Sequence, residues 1–124
     1  SATINLSVAQ RLVRLLCPKC KQRIKFSEVD LPEVFIPGSI PEYVYEAKGC
    51  ESCHHVGYKG RKAIYEVIPI TTELKEEIKN PSERISELME NLNVNTLADQ
   101  AFHLLVQGET SITEIFPILM ITDY

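Results

Sequence analysis

Cys17-Pro18-Lys19-Cys20 and Cys50-Glu51-Ser52-Cys53 are two Cys-x-x-Cys pairs separated by 29 residues, and they hold every cysteine of this 124-residue chain. Each pair can set two thiolates on one tight turn, and two such turns facing each other complete a tetrahedron at Zn–S distances of ~2.3 Å. Four thiolates fill the shell of a zinc ion and leave no position for a reactive water. The expected site is therefore a structural Zn2+ held by Cys17, Cys20, Cys50 and Cys53, with no catalytic residue. Two other chemistries use the same side chains. Disulfides ask for an oxidising compartment, and a redox Cys-x-x-Cys asks for a βαβ setting that the sequence lacks. A rubredoxin-like iron would take the same four sulfurs, but Lys21 and His54 stand where a glycine often follows the second cysteine. Thiolate donors in this count favour zinc.

Zinc with four thiolates carries a formal charge of about −2, which nearby cations stabilise. Lys19, Lys21 and Arg61 are the candidates. His54 and His55 follow Cys53 too closely to join it as ligands and read as turn residues. His103 falls inside an expected helix with no acid–base partner set around it, and reads as an ordinary surface or core histidine.

Outward from the cysteines, the chain has the composition of a packed domain, with 44% hydrophobic and 24% charged residues, so wholesale disorder is not expected. No apolar run approaches the ~20 residues of a membrane-spanning helix, and the start lacks a secretory pattern. A cytoplasmic location follows as an expectation. The opening Ser1-Ala2, in place of Met, suits a fragment of a longer protein. Charge is unevenly spread. Residues 1–25 carry six basic side chains and no acid, whereas residues 73–124 carry three basic and ten acidic ones. Most such runs are solvated faces; the sharper reading is a docking surface.

The elements point to an α+β fold, with a small tetracysteine module of short strands followed by a cluster of short helices. Residues 5–16 place Val8, Leu12, Leu15 and Leu16 at helical spacing, but Val13 breaks the pattern, and helix and strand stay open. After the proline-punctuated stretch from Pro32 to Pro41, Tyr43 to Ala47 predicts a strand, and Ala63 to Ile68 a second one closed by Pro69. Helices are expected from Thr71 or Thr72, and from Asn80-Pro81-Ser82-Glu83 with Ile85, Leu88, Met89 and Leu92 on one face. Thr96 with Asp99 opens another, burying Leu97, Ala101, Leu104 and Leu105, with Gly108 as a left-handed terminator. Ser111 with Glu114 opens the last, which Pro117 stops or kinks early.

Gly49-Cys50-Glu51-Ser52-Cys53-His54-His55-Val56-Gly57-Tyr58-Lys59-Gly60-Arg61, followed by Ile64-Tyr65-Glu66, resembles the zinc-binding module near the C-terminus of the type II secretion and type IV pilus assembly ATPases. Ala9 to Cys20 resembles the stretch where that family's ATPase core runs into its first knuckle, and Leu97 to Phe116 its last helices. In this setting Gly57 and Gly60 can turn the chain, Tyr58 can cover the metal's apolar side, and Arg61 can pair with Glu66 or the thiolates. Val56 departs from the small hydroxylated residue common in the family, and Pro117 falls in its usual final helix.

The resemblance implies a non-catalytic part of a cytoplasmic, hexameric motor that powers secretion or pilus assembly. It implies the ATPase core of the same parent chain and inner-membrane platform or scaffold proteins as partners, and neither nucleic acid nor direct membrane insertion. It divides the chain into residues 1–16 as the end of the core or its linker, 17–70 as the zinc module, and 71–124 as a helical subdomain. No G-x-x-x-x-G-K-[ST] sequence is present, so this stretch is not expected to be an enzyme by itself. The rival class is a zinc ribbon binding nucleic acid through the basic N-terminal segment. A net charge of −4 and poor aromatic interleaving oppose it.

Overall fold

A computed structural model describes residues 5–70 and 94–121. Over these it is an α+β arrangement: β1 (Asn5–Leu16), β2 (Gln22–Lys25), β3 (Tyr43–Glu46), β4 (Tyr58–Ile70), α1 (Leu97–Val106) and α2 (Ile112–Leu119), with single 3-10 turns at Phe26–Glu28 and Glu51–Cys53. The helices expected from Thr71 or Thr72 and from Asn80, with the stripe Ile85, Leu88, Met89 and Leu92, lie outside the described residues.

β1 and β4 form a long antiparallel ribbon in which Val8 faces Val67, Leu12 faces Ala63 and Arg14 faces Arg61, with a bulge between Arg14 and Leu16. β2 and β3 form a second, shorter ribbon, pairing Arg23 with Tyr45 and Ile24 with Val44. The open choice over residues 5–16 is thus a strand. Val13, the residue that breaks the helical spacing, is fully buried, while Val8 and Leu12 are 61% and 57% exposed. Alternation, not the 3.6-residue period, decides which side chains reach the core.

β4 departs from expectation at both ends, starting at Tyr58 and running through Pro69. Tyr65 directs its N–H and C=O away from β1, to the side-chain amide of Gln100. Pro69 shares that parity, so its missing donor lies on the outer edge of the ribbon and the ladder is not interrupted. Gln100 itself closes the edge at Tyr65 as a third strand would.

α1 and α2 start and stop on local signals. Thr96 accepts from the Asp99 N–H at 3.1 Å, Ser111 accepts from the Glu114 N–H at 3.2 Å, and Gly108 ends the first helix at φ +76°. Pro117 does not stop α2, which continues to Leu119. A proline forfeits the bond to the carbonyl four residues back, and here the Met120 N–H restores the ladder by donating to Phe116 at 3.2 Å. Buried Ile115, Ile118 and Leu119 hold that turn against the core.

The core joins both ribbons to both helices: Val13, Val44 and Ile64 meet Leu97, Ala101, Phe102, Leu104, Leu105, Ile115 and Leu119. Phe26 and Phe35, from the segment between β2 and β3, pack on Phe102 at ring distances of 6.0 and 5.1 Å. Glu66 is buried and accepts the Leu97 N–H at 3.0 Å, a carboxylate on the positive end of α1.

Candidate metal centre

The two knuckles meet at one end of the long ribbon, where Leu16 at the close of β1 pairs with Tyr58 at the start of β4. β1 delivers Cys17 directly, its N–H donating to the Gly57 carbonyl at 2.9 Å, and the chain then turns so that Cys20 and Lys21 donate to the Cys17 carbonyl. After β3, Cys50 begins the second turn, with the Cys53 and His55 N–H groups donating back to its carbonyl at 3.2 and 2.8 Å. His54 and His55 both adopt the left-handed region, at φ 55° and 63°, with exposed side chains. These two residues reverse the chain toward β4.

The four sulfurs lie within 4.8 Å of one another, and the Cys17–Cys50, Cys20–Cys53 and Cys50–Cys53 Sγ separations are each 3.8 Å. A tetrahedron with metal–sulfur bonds of ~2.3 Å has edges of about 3.8 Å, so the spacing fits one four-coordinate ion. All four cysteines are free thiols. Cys17, Cys20 and Cys53 form a buried cluster of their own, with Cys50 packed against it. Such a closed, sulfur-only set could hold a metal ion and leaves no coordination position facing solvent.

Backbone donors surround the sulfurs. Gly49 donates to Cys20 Sγ at 3.3 Å, and Cys53 Sγ receives the Cys50 and Gly57 N–H groups at 3.3 and 3.2 Å. Burial pushes both thiols up, but for Cys53 the two N–H donors and the neighbouring thiols outweigh it and bring the pKa down to about 6. Cys20 has one such donor, and burial with the adjacent thiols raises it to about 11. The glycine donors are present, then, but from positions 49 and 57 and not directly behind each second cysteine.

The expected cations are engaged elsewhere or point to solvent. Lys21 Nζ donates to the Gly108 carbonyl at 2.9 Å and sits over the Tyr45 ring at 4.5 Å, where it satisfies the C-terminal end of α1. Lys19 and Arg61 are exposed, and Glu66 partners Leu97 and not Arg61. Tyr58 stacks under the Arg14 guanidinium at 4.2 Å and hydrogen-bonds Ser111, tying the knuckle to α2. His103 is exposed on α1.

Sequence reasoning missed the brace between the knuckle and the helices. Glu114 accepts from the Arg14 backbone N–H at 2.7 Å and from its guanidinium at 3.0 Å, Thr110 donates to the Arg14 carbonyl at 2.8 Å, and Leu16 donates to the Glu109 carbonyl at 2.8 Å. Segment 108–114 thus closes the outer edge of β1 just before the first cysteine. Ser111→Ala removes both the α2 cap and the Tyr58 contact, and is expected to cost about 1–2 kcal/mol. A urea titration should show a lower midpoint with an unchanged slope.

Among the described residues no helix is long and apolar enough to cross a membrane. The family model described as "Type II/IV secretion system protein" matches residues 1–117. The chain is 39% identical over 121 residues to the type IV pilus assembly ATPase PilB of Acinetobacter baylyi, covering 93% of this chain and 21% of that protein. It is 29% identical over 113 residues to type II secretion system protein E of Pseudomonas aeruginosa, covering 90% and 22%, and 34% identical over 122 residues to PilB of Myxococcus xanthus, covering 93% and 21%. It therefore spans about a fifth of the length of these curated relatives. A family match over nearly every residue, on a fold whose four cysteines meet as the spacing requires, places the chain in the type II/IV secretion system protein family.

Proposed function

We propose that this chain is a non-catalytic zinc module of a hexameric, cytoplasmic traffic ATPase that powers type II secretion or type IV pilus assembly. The four converging sulfurs carry the reading. In it Cys17, Cys20, Cys50 and Cys53 ligate one structural Zn2+, residues 17–70 are the module, residues 1–16 join it to the ATPase core, and residues 71–124 form a helical subdomain braced on it. A d10 ion without redox chemistry, held by four thiolates in a closed shell, contributes folding energy and no reactive water.

The surface of the long ribbon supports docking on the rest of a longer protein. Leu6, Val8, Leu12 and Val67 face outward from the core side and are each about half exposed or more. A two-stranded ribbon does not by itself account for so much aliphatic surface in water. The ATPase core of the same parent chain is the occupant this reading assigns, and platform or scaffold proteins of the machine are the further partners. Zinc analysis and nucleotide turnover on one preparation test the proposal together. The 124-residue chain should contain one zinc per chain and release phosphate from ATP no faster than buffer; turnover above that of a zinc-stripped control, or a metal-free folded protein, would refute it.

A further inference from the structure

The segment between β2 and β3 has a character of its own. From residue 26 to residue 47 there is no Lys, Arg or His, and there are five acids: Glu28, Asp30, Glu33, Glu42 and Glu46. All five are exposed. The same segment displays Val34, Ile36 and Ile40 at 56%, 86% and 73% exposure, although its backbone is anchored. Phe26 and Phe35 are fixed on Phe102, and Pro32 is buried. The anchored loop therefore holds its aliphatic side chains out into water, where no contact within the described fold uses them.

The loop crosses α1 and leaves a groove on each side of the crossing. One, of about 200 Å3, lies between Val34, Ile36, Leu97 and Leu119; the other, of about 410 Å3, lies between Gly38, Phe102, His103 and Val106. Asp99 lines both. Apolar walls, a shared carboxylate and a loop whose charged side chains from residue 26 to residue 47 are all acidic form a surface complementary to a cationic amphipathic segment, His103 being the one basic side chain that lines either groove.

We propose that loop 28–42, with the exposed side of α1, is a protein-docking surface whose partner is a basic amphipathic helix. Its apolar side chains seat against Ile36 and Val106, and its Lys or Arg side chains meet Asp99 and the rim acids. This surface is separate from the outward side of the β1–β4 ribbon, and none of the four cysteines lines its grooves. A docked helix gains affinity from the apolar contacts and orientation from the charges, so both should be measurable separately.

The probe is a synthetic peptide of about 18 residues with Leu at helical spacing and Lys elsewhere, together with its twin carrying Glu for every Lys. Amide shifts of the isotope-labelled 124-residue chain map where each peptide binds. The Lys peptide should perturb residues 34–40 and α1, weaken steeply between low and high salt, and bind at least tenfold less tightly to a Val34→Ser/Ile36→Ser variant. Since both positions are exposed, that variant should melt with the parent, and Asp99→Asn should reduce the salt dependence. Equal binding of the Glu twin, perturbations centred on the β1–β4 ribbon, or a dimer of this chain closing over the loop would each overturn the proposal.

Discussion

Cys53→Ser is expected to abolish the cooperative melting of this chain at neutral pH, and exhaustive chelation of the parent protein should do the same. Cys53 sits where the constraints converge, since its sulfur takes two backbone N–H groups and stands 3.8 Å from both Cys20 and Cys50. A serine hydroxyl stays protonated at this pH and is a poor zinc ligand, so in the proposed site three thiolates and one open position would replace a closed shell. Apparent binding energies of structural zinc run to ~10–16 kcal/mol, against net stabilities of ~5–15 kcal/mol for whole domains. The sulfurs form a buried cluster separate from the main hydrophobic core, so the packing inside the two turns rests on the cysteines themselves. Serine at Cys17 or Cys50 should act alike. Circular dichroism and calorimetry would read the loss; a Cys53→Ser protein that melts with the parent, with or without chelator, would remove the metal from the account.

The same residues show why the meeting of the four sulfurs was legible before the fold was. Metal-ligand spacing is local within each pair, and four sulfurs admit few arrangements, so Cys17, Cys20, Cys50 and Cys53 could be brought together without knowing the strands between them. Helix caps are local too, and Thr96 with Asp99 and Ser111 with Glu114 start α1 and α2 as read. β1 was ambiguous because apolar side chains lie on both of its sides, so neither period stands out; the outward Val8 and Leu12, four apart, line up with Leu15 and Leu16 as a helical stripe would. β2 gave no signal, as Gln22-Arg23-Ile24-Lys25 owes its pairing to β3 and to tyrosines that its cations cover, Arg23 over Tyr43 at 4.3 Å. The Arg14–Glu114 brace spans 100 positions and has no sequence signature.

Gly57→Ala should damage the knuckle while leaving every sulfur in place. Gly57 sits at φ +89°, and a Cβ built there would lie 2.7 Å from the Ala47 Cβ. The left-handed conformation costs an L-residue roughly 1–2 kcal/mol, and forcing the two methyl groups apart adds roughly 1–3 kcal/mol, for a total of about 3 kcal/mol. Relief by backbone movement is blocked from both directions, since the Gly57 N–H donates to Cys53 Sγ and its carbonyl accepts from Cys17. Any shift therefore displaces one knuckle relative to the other, and loss of such an outer hydrogen bond typically weakens metal binding about 10–100-fold. Gly38→Ala is the matched control, because nothing lies within 4 Å of its Cβ, and a surface change of this kind stays within about 0.5 kcal/mol. A competition titration with a colorimetric zinc chelator, run beside thermal melts of both variants, separates the two effects. If Gly57→Ala kept parental zinc affinity and melting, the glycine would be a tolerant turn residue and the coupling between knuckle geometry and metal would be lost.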